Sequence, residues 1–299
     1  MLRLSVLLSI AILMTGATPH LQTPSAPSII RSDTAVGEHP SAGAIIDRAI
    51  ERAQLQDETG VELEFESLIL TTVDSFNGDG EVTKTETTLH KRYALEGVLY
   101  EELVERDGQP LTDEEIRDEH KEREKFAGEV RERARRGEEV EMNDERDVRF
   151  DRDLFDRFQA SVTGVEDIRG ESAWVLSFEP RPGKLPEHNR MDKALNRSTG
   201  RLYIAQRDYG IMRIEFEMQE PMRYLWGLIA TLKSAVGRIE FARVESDVWL
   251  PHTFDFEIDL RIFFRNRRQQ IVREWVDRQH VGPAAGDHPT SVNRAQISH

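Results

Sequence analysis

Residues 75–86 carry the oxygen-bearing types of a calcium loop: Ser75, Phe76, Asn77, Gly78, Asp79, Gly80, Glu81, Val82, Thr83, Lys84, Thr85 and Glu86. Asn, Asp, Gly, an apolar residue and Glu fall at positions 3, 5, 6, 8 and 12 of an EF-hand loop. Ser75, however, stands where the first carboxylate is expected, and both flanks have the period of strands, so the stretch reads as a β-turn. Glu62, Glu64 and Glu66 would suit paired-carboxylate chemistry, yet alternate positions on a strand equally make a solvated polar face. His90 and His252 lie in expected strands without ligand spacing and read as structural histidines. The chain lacks Gly-x-Ser-x-Gly, Gly-x-Gly-x-x-Gly, a P-loop and His-Glu-x-x-His. It also lacks cysteine, which removes disulfides, thiolate metal sites and a lipobox for acyl anchoring. The expectation is a protein with no catalytic residue, metal or cofactor. A hydrolase whose site is assembled from distant residues ranks behind the binding roles below.

These residues must be positioned by elements whose periods change along the chain. Ala42, Ile45, Ile46, Ala49, Ile50 and Ala53 form a helical stripe over residues 41–56. Val61, Leu63, Phe65, Ile69 and Val73 then alternate with acids, and strands over 82–94 and 98–105 complete a meander. Residues 112–136 read as a charged helix: Thr112 and Glu115 form a capping box, acids crowd its start and arginines its end. Its narrow stripe of Ile116, Phe126, Ala127, Val130 and Ala134 suits the cover of a sheet edge or a partner surface. Leu154, Phe155 and Phe158 give a short helix; strands follow over 172–179, 202–206, 211–218, 236–244, 253–264 and 270–276. Residues 222–233, with Leu225, Trp226, Leu228, Ile229 and Leu232 at helical spacing, read as an apolar helix closing the sheet or as a lid over it. Arg265, Asn266, Arg267 and Arg268 fall at a hairpin tip.

Many antiparallel strands with one apolar face, and few helices, predict an α+β fold: a single curved antiparallel sheet, an incomplete β-barrel, wrapped over helices. The expected domain runs over 40–281, with the charged helical insertion near 112–137 and a disordered tail over 282–299. Arg3, the apolar run over 4–14 and the small residues Thr15, Gly16 and Ala17 predict a cleaved signal peptide over 1–17, followed by a flexible segment over 18–39. No later apolar run reaches the about 20 residues of a membrane span. The formal net charge of −15 disfavours nucleic acid. A periplasmic or secreted soluble protein is expected.

The order of elements brings a resemblance with it. Leu99-Tyr100, Leu103-Val104 and Asp107-Gly108-Gln109-Pro110-Leu111, then the Glu/Lys/Arg helix, resemble uncharacterised bacterial envelope proteins of the outer-membrane lipoprotein-sorting (LolA/LolB-like) superfamily. GESAWVLSFEPRPG from Gly170, TGRLYIAQRDYGIMRIEF from Thr199 and SDVWLP from Ser246 are similar to strands of that group. The resemblance implies an incomplete barrel closed by helices that holds acyl chains. This chain departs from it in lacking the receptor's anchoring cysteine and in carrying the charged helix.

The expected function is a non-enzymatic periplasmic carrier or binding protein for lipid acyl chains or lipoprotein. Phe65, Ile69, Trp174, Leu176, Phe178, Ile214, Phe216, Trp226, Phe254, Phe256 and Ile258 are predicted to line the apolar cavity; the same alternation also builds a filled core. The alternative is an interaction or sensing module, with a packed β scaffold, that engages an envelope protein.

Overall fold

The computed structural model describes residues 3–4, 40–138, 148–188, 190–224, 230–245 and 248–282. The expected leader, apart from Arg3 and Leu4, the 18–39 segment and the tail beyond Gly282 lie outside the described residues. In chain order the elements are β1 (Arg3–Leu4), α1 (Ala42–Thr59), a 3₁₀ turn (Val61–Glu64), β2 (Phe65–Phe76), β3 (Val82–Leu95), β4 (Val98–Arg106), β5 (Gln109–Pro110), α2 (Asp113–Arg135) and β6 (Val148–Arg149). There follow α3 (Arg152–Phe155), β7 (Phe158–Ile168), β8 (Glu171–Pro180), α4 (Arg190–Leu195), β9 (Ser198–Ala205), β10 (Ile211–Met218), β11 (Met222–Tyr224), β12 (Ala230–Glu245), β13 (Val248–Ile262) and β14 (Arg265–His280).

Twelve strands form one open antiparallel sheet in the order β5-β4-β3-β2-β14-β13-β12-β10-β9-β8-β7, with β11 paired to β12; β1 and β6 pair separately. The register divides the sheet into two unlike faces. From Phe254 on β13 the pairing runs to Ile239, Ile214, Leu202 and Leu176 in one direction. In the other it runs to Arg273, Thr71 and Thr88. All of these side chains share the inner face, because side chains alternate strictly along a strand. The outer face is a charge ladder around Glu215, which accepts from Arg201 at 2.8 Å, Arg238 at 3.3 Å and the Tyr203 hydroxyl at 3.2 Å.

The inner face is concave. Adjacent strands lie about 4.8 Å apart, so β14 and β4, three places apart, would stand at least about 14 Å apart in a flat sheet. Arg273 on β14 nevertheless donates to Glu101 on β4 at 2.6 Å, which requires the sheet to curl between them.

Helix α1 packs on this inner face, joined by Leu154 and Phe155 of α3. Ser41 caps α1 by accepting from Ala44 N, and Gly60 ends it in a left-handed conformation (φ 63°). Its stripe of Ile45, Ile46, Ala49, Ile50 and Ala53 belongs to the same buried cluster as Ile69, Trp174, Leu176, Ile214, Phe254 and Trp275. The buried Gln56 clamps the helix to β13, donating to Trp249 O at 2.8 Å and accepting from Trp249 N at 3.0 Å. Gln56→Ala leaves two buried backbone groups unpaired and is expected to cost about 2 kcal/mol, read as a lower urea midpoint; an unchanged midpoint would show that the clamp is dispensable.

The charged helix α2 lies on the opposite, outer face. Its capping box between Thr112 and Glu115 forms, and its buried residues are Ala127 and Val130. Tyr100 on β4 donates to Glu119 at 2.9 Å and packs against Phe126 with ring centroids 4.9 Å apart, while Arg123 pairs with Glu102 at 3.2 Å. The expected single antiparallel sheet is an open one of twelve strands, with α1 against its inner face and α2 against the outer face of β4.

The expected helix over 222–233 is overturned. Met222 pairs with Leu232 and Tyr224 with Ala230 in a hairpin, and Leu232 also pairs with Leu260; Leu225, Trp226, Leu228 and Ile229 lie outside the described residues. A short apolar run does not separate helix from buried strand by period alone, and pairing with β13 satisfies the backbone. Similarly, Phe158 opens strand β7 instead of continuing a helix, and residues 61–64 form a 3₁₀ turn instead of a strand. The hairpin turn expected at 265–268 falls earlier, at the exposed Phe263 (φ 53°) and Phe264.

Candidate functional site

Every described residue expected to line a cavity lies on the inner face, in four environments. Ile69, Trp174, Leu176, Ile214 and Phe254 are buried in the cluster shared with α1, where they act as packed core. Phe178, Phe216 and Phe256 are half-buried and pack beside that cluster. Ile258 joins a second cluster with Met218, Met222 and Ala235. Phe65 is buried and stacks on His280, with ring centroids 4.9 Å apart. Trp226 is outside the described residues.

Two glycines shape the half-buried aromatic part. Phe216 on β10 stands opposite Gly200 on β9 and Gly237 on β12. A Cβ at Gly200 would stand 1.9 Å from the Glu215 carbonyl oxygen and 2.7 Å from Phe178 Cζ, and one at Gly237 would stand 2.2 Å from Phe216 Cζ. Without those atoms the two rings settle against the sheet backbone. Phe256 lies 6.0 Å from Phe216 and 5.7 Å from Phe254 between centroids, so the aromatics form a continuous floor.

The floor ends in charge. On β14 the inner-face positions are Ile271, Arg273 and Trp275, and Arg273 stands opposite Phe254. Arg273 is 7 % exposed, lies 5.3 Å over the Trp275 ring and bonds Glu101. Arg92 adds an ion pair to Glu62 at 2.9 Å and reaches Glu101 at 4.0 Å. Arg278 donates to Pro251 O; burial, and then the neighbouring Arg92, push its pKa down to about 10. His90 shares the row of Trp275 and Ile69. Burial first, and the Arg273 and Arg106 charges, hold His90 below the usual imidazole value against the pull of Glu101.

The inward arginines escaped the sequence analysis, although their signal was present: Arg273 alternates with Ile271 and Trp275, and Arg92 and His90 share a parity on β3. A charge in register with apolar neighbours on a half-buried strand marks an inward charge.

A neutral His90 ties stability to pH. Its folded pKa lies below the unfolded value of 6.5, so the unfolded chain binds the proton more readily. The contribution is complete above about pH 6.5 and is lost as pH falls through the folded value. His252, lowered by burial and by Arg169 and Arg278, acts in the same direction. Denaturant unfolding at pH 7.5 and pH 5.5 is expected to show lower stability at the acid pH, with a smaller difference in His90→Gln; an equal difference would place the proton elsewhere.

The other sequence candidates resolve into structural roles. Asn77 Oδ1 accepts from Asp79 N at 3.0 Å and Glu81 N at 2.9 Å, closing the β2–β3 turn. Glu62, Glu64 and Glu66 pair separately with Arg92, His280 and Lys91. Arg243 bonds Glu171 at 2.7 Å and Asp208 at 2.6 Å and stacks 4.5 Å over Trp249, whose indole donates to Asp208 at 3.1 Å. That network fastens the β9–β10 turn to β12 and β13.

No helix among the described residues is long and apolar enough to cross a membrane. The chain matches no protein-family model, and no curated protein matches it. Solved structures similar to it include a LolA superfamily protein from Nitrosomonas europaea, with 11% identity over 81% of this chain and 94% of that one and a TM-score of 0.29. A putative outer membrane lipoprotein-sorting protein domain from Vibrio parahaemolyticus has 11% identity over 78% and 92%, with a TM-score of 0.32. The MucA/MucB complex structure from Pseudomonas aeruginosa supplies a chain with 11% identity over 79% and 99%, with a TM-score of 0.22. These structures include the lipoprotein-sorting group that the sequence motifs resemble.

Proposed function

We propose that this protein is an exported carrier or binding protein that holds the apolar chain of a lipid or lipidated protein on its concave face, without chemistry of its own. The observation that supports this most is the half-buried floor of Phe178, Phe216 and Phe256 beside the packed core, settled against the sheet by Gly200 and Gly237. Aromatic side chains left partly uncovered beside a packed core are suited to an apolar ligand. The N-terminal charge and apolar run support export.

The test uses 1-N-phenylnaphthylamine, a probe that brightens in apolar surroundings, and its displacement by dodecanol. The purified protein is expected to bind the probe and release it to the alcohol. Phe216→Asp places a charge in the floor and is expected to weaken binding about 10-fold or more, while Val236→Asp on the outer face leaves it unchanged. Failure of the wild-type protein to bind probe or alcohol would overturn the proposal.

A further inference from the structure

We infer that the charged end of the concave face is an oxyanion site, so that the ligand is an amphiphile whose carboxylate or phosphate head meets Arg273 and Trp275 while its chain lies on the aromatic floor. This inference rests on the proposed apolar binding and specifies the class of ligand. Its first support is a set of unmet donors. Arg273 Nε and Trp275 Nε1 are buried without a hydrogen-bond partner, each in a residue 7 % exposed, and His90 Nδ1 is buried and unpartnered beside them. Buried donors are almost always satisfied, and both the guanidinium Nε–H and the indole N–H can only donate. The missing partner is therefore an acceptor.

Charge is the second support. Arg92, Arg273 and Arg278 face two carboxylates, Glu62 and Glu101. The local balance is one positive charge in excess, within a chain of formal net charge −15. An oxyanion would neutralise that excess and accept charge-assisted bonds from the planar guanidinium. The third support is continuity: Ile271, the next inner-face residue after Arg273 on β14, is half-buried and stands opposite the half-buried Phe256. A head at Arg273 thus leaves its chain pointing across the aromatics. Glu101 already occupies one face of the Arg273 guanidinium, so it competes with the head for this group.

Calorimetric titration of the full chain with dodecyl phosphate, dodecanol and inorganic phosphate separates the parts. The wild type is expected to bind dodecyl phosphate about 10-fold or more tighter than dodecanol, and inorganic phosphate far more weakly than either. Arg273→Met is expected to bring dodecyl phosphate down to the affinity for dodecanol and to leave dodecanol binding in place. Trp275→Phe keeps the ring, removes one donor, and is expected to weaken dodecyl phosphate several-fold without affecting dodecanol. Glu101→Gln, which removes the competing charge, is expected to tighten it. Equal wild-type affinities for the alcohol and the phosphate ester would overturn the oxyanion site while leaving apolar binding intact. Binding of neither would overturn both. Inorganic phosphate binding as tightly as the ester would overturn the amphiphile in favour of a free anion.

Discussion

Arg273→Met is expected to lower the unfolding free energy by about 3 kcal/mol, the lower end of the cost of breaking a buried ion pair, because Arg92 still reaches Glu101 at 4.0 Å. Glu101, only 17% exposed at its side chain, would keep its charge on the inner face after Arg273, 8% exposed, had gone. Adding Glu101→Leu removes the stranded carboxylate and is expected to restore most of the loss, because apolar replacement of a whole buried pair is often neutral or stabilising. Urea unfolding of the wild type, both single variants and the double variant closes the cycle. A double variant no more stable than Arg273→Met would mean that the arginine supports the fold by some route other than this pair. The design also separates stability from binding: a restored double variant that no longer prefers an anionic amphiphile would show that the pair is kept for its ligand.

Gly200→Ala is expected to cost about 3 kcal/mol or more, at the upper end for overpacking, and to rank with the ion pair as a determinant of folding. The added methyl would collide with the Glu215 carbonyl oxygen, which is backbone held between β9 and β12 and has no rotamer to escape into. It would also press on the Phe178 ring. Gly237→Ala meets the Phe216 ring first, at 2.2 Å, and a ring can turn; the expected loss is smaller, with Phe216 displaced. Thermal unfolding should therefore order the variants Gly200→Ala below Gly237→Ala below wild type. The reverse order would mean that the β9–β10 pairing yields more readily than the aromatic floor.

The sequence carried the alternation of β13 plainly, because Phe254, Phe256 and Ile258 alternate with Asp255, Glu257 and Asp259 without interruption, and on that apolar face Phe254 and Ile258 are buried and Phe256 is half-buried. The α2 capping box was equally legible, being a local device completed within four residues. The 222–233 segment misled because its apolar residues fit a helix and a buried strand alike, and only pairing with β13, distant in sequence, decides between them. The charged end of the site needed more than a pattern. Arg273 on β14 meets Glu101 across the distant meander β2–β4, 172 positions away in the chain, so the parity of β14 could show an inward arginine but not its partner. The inner position of α1 was likewise hidden, since its anchor is a glutamine bonded to the backbone of β13.

The most direct test of the account is to label the protein with a fatty alcohol carrying a photoactivatable diazirine at mid-chain, digest it and sequence the modified peptides. Labels are expected in the inner-face stretches of β8, β10 and β13 around Phe178, Phe216 and Phe256, competed by unlabelled alcohol and lost in Phe216→Asp. Labelling confined to the outer face, or to the exposed Phe263 and Phe264 at the β13–β14 tip, would contradict it.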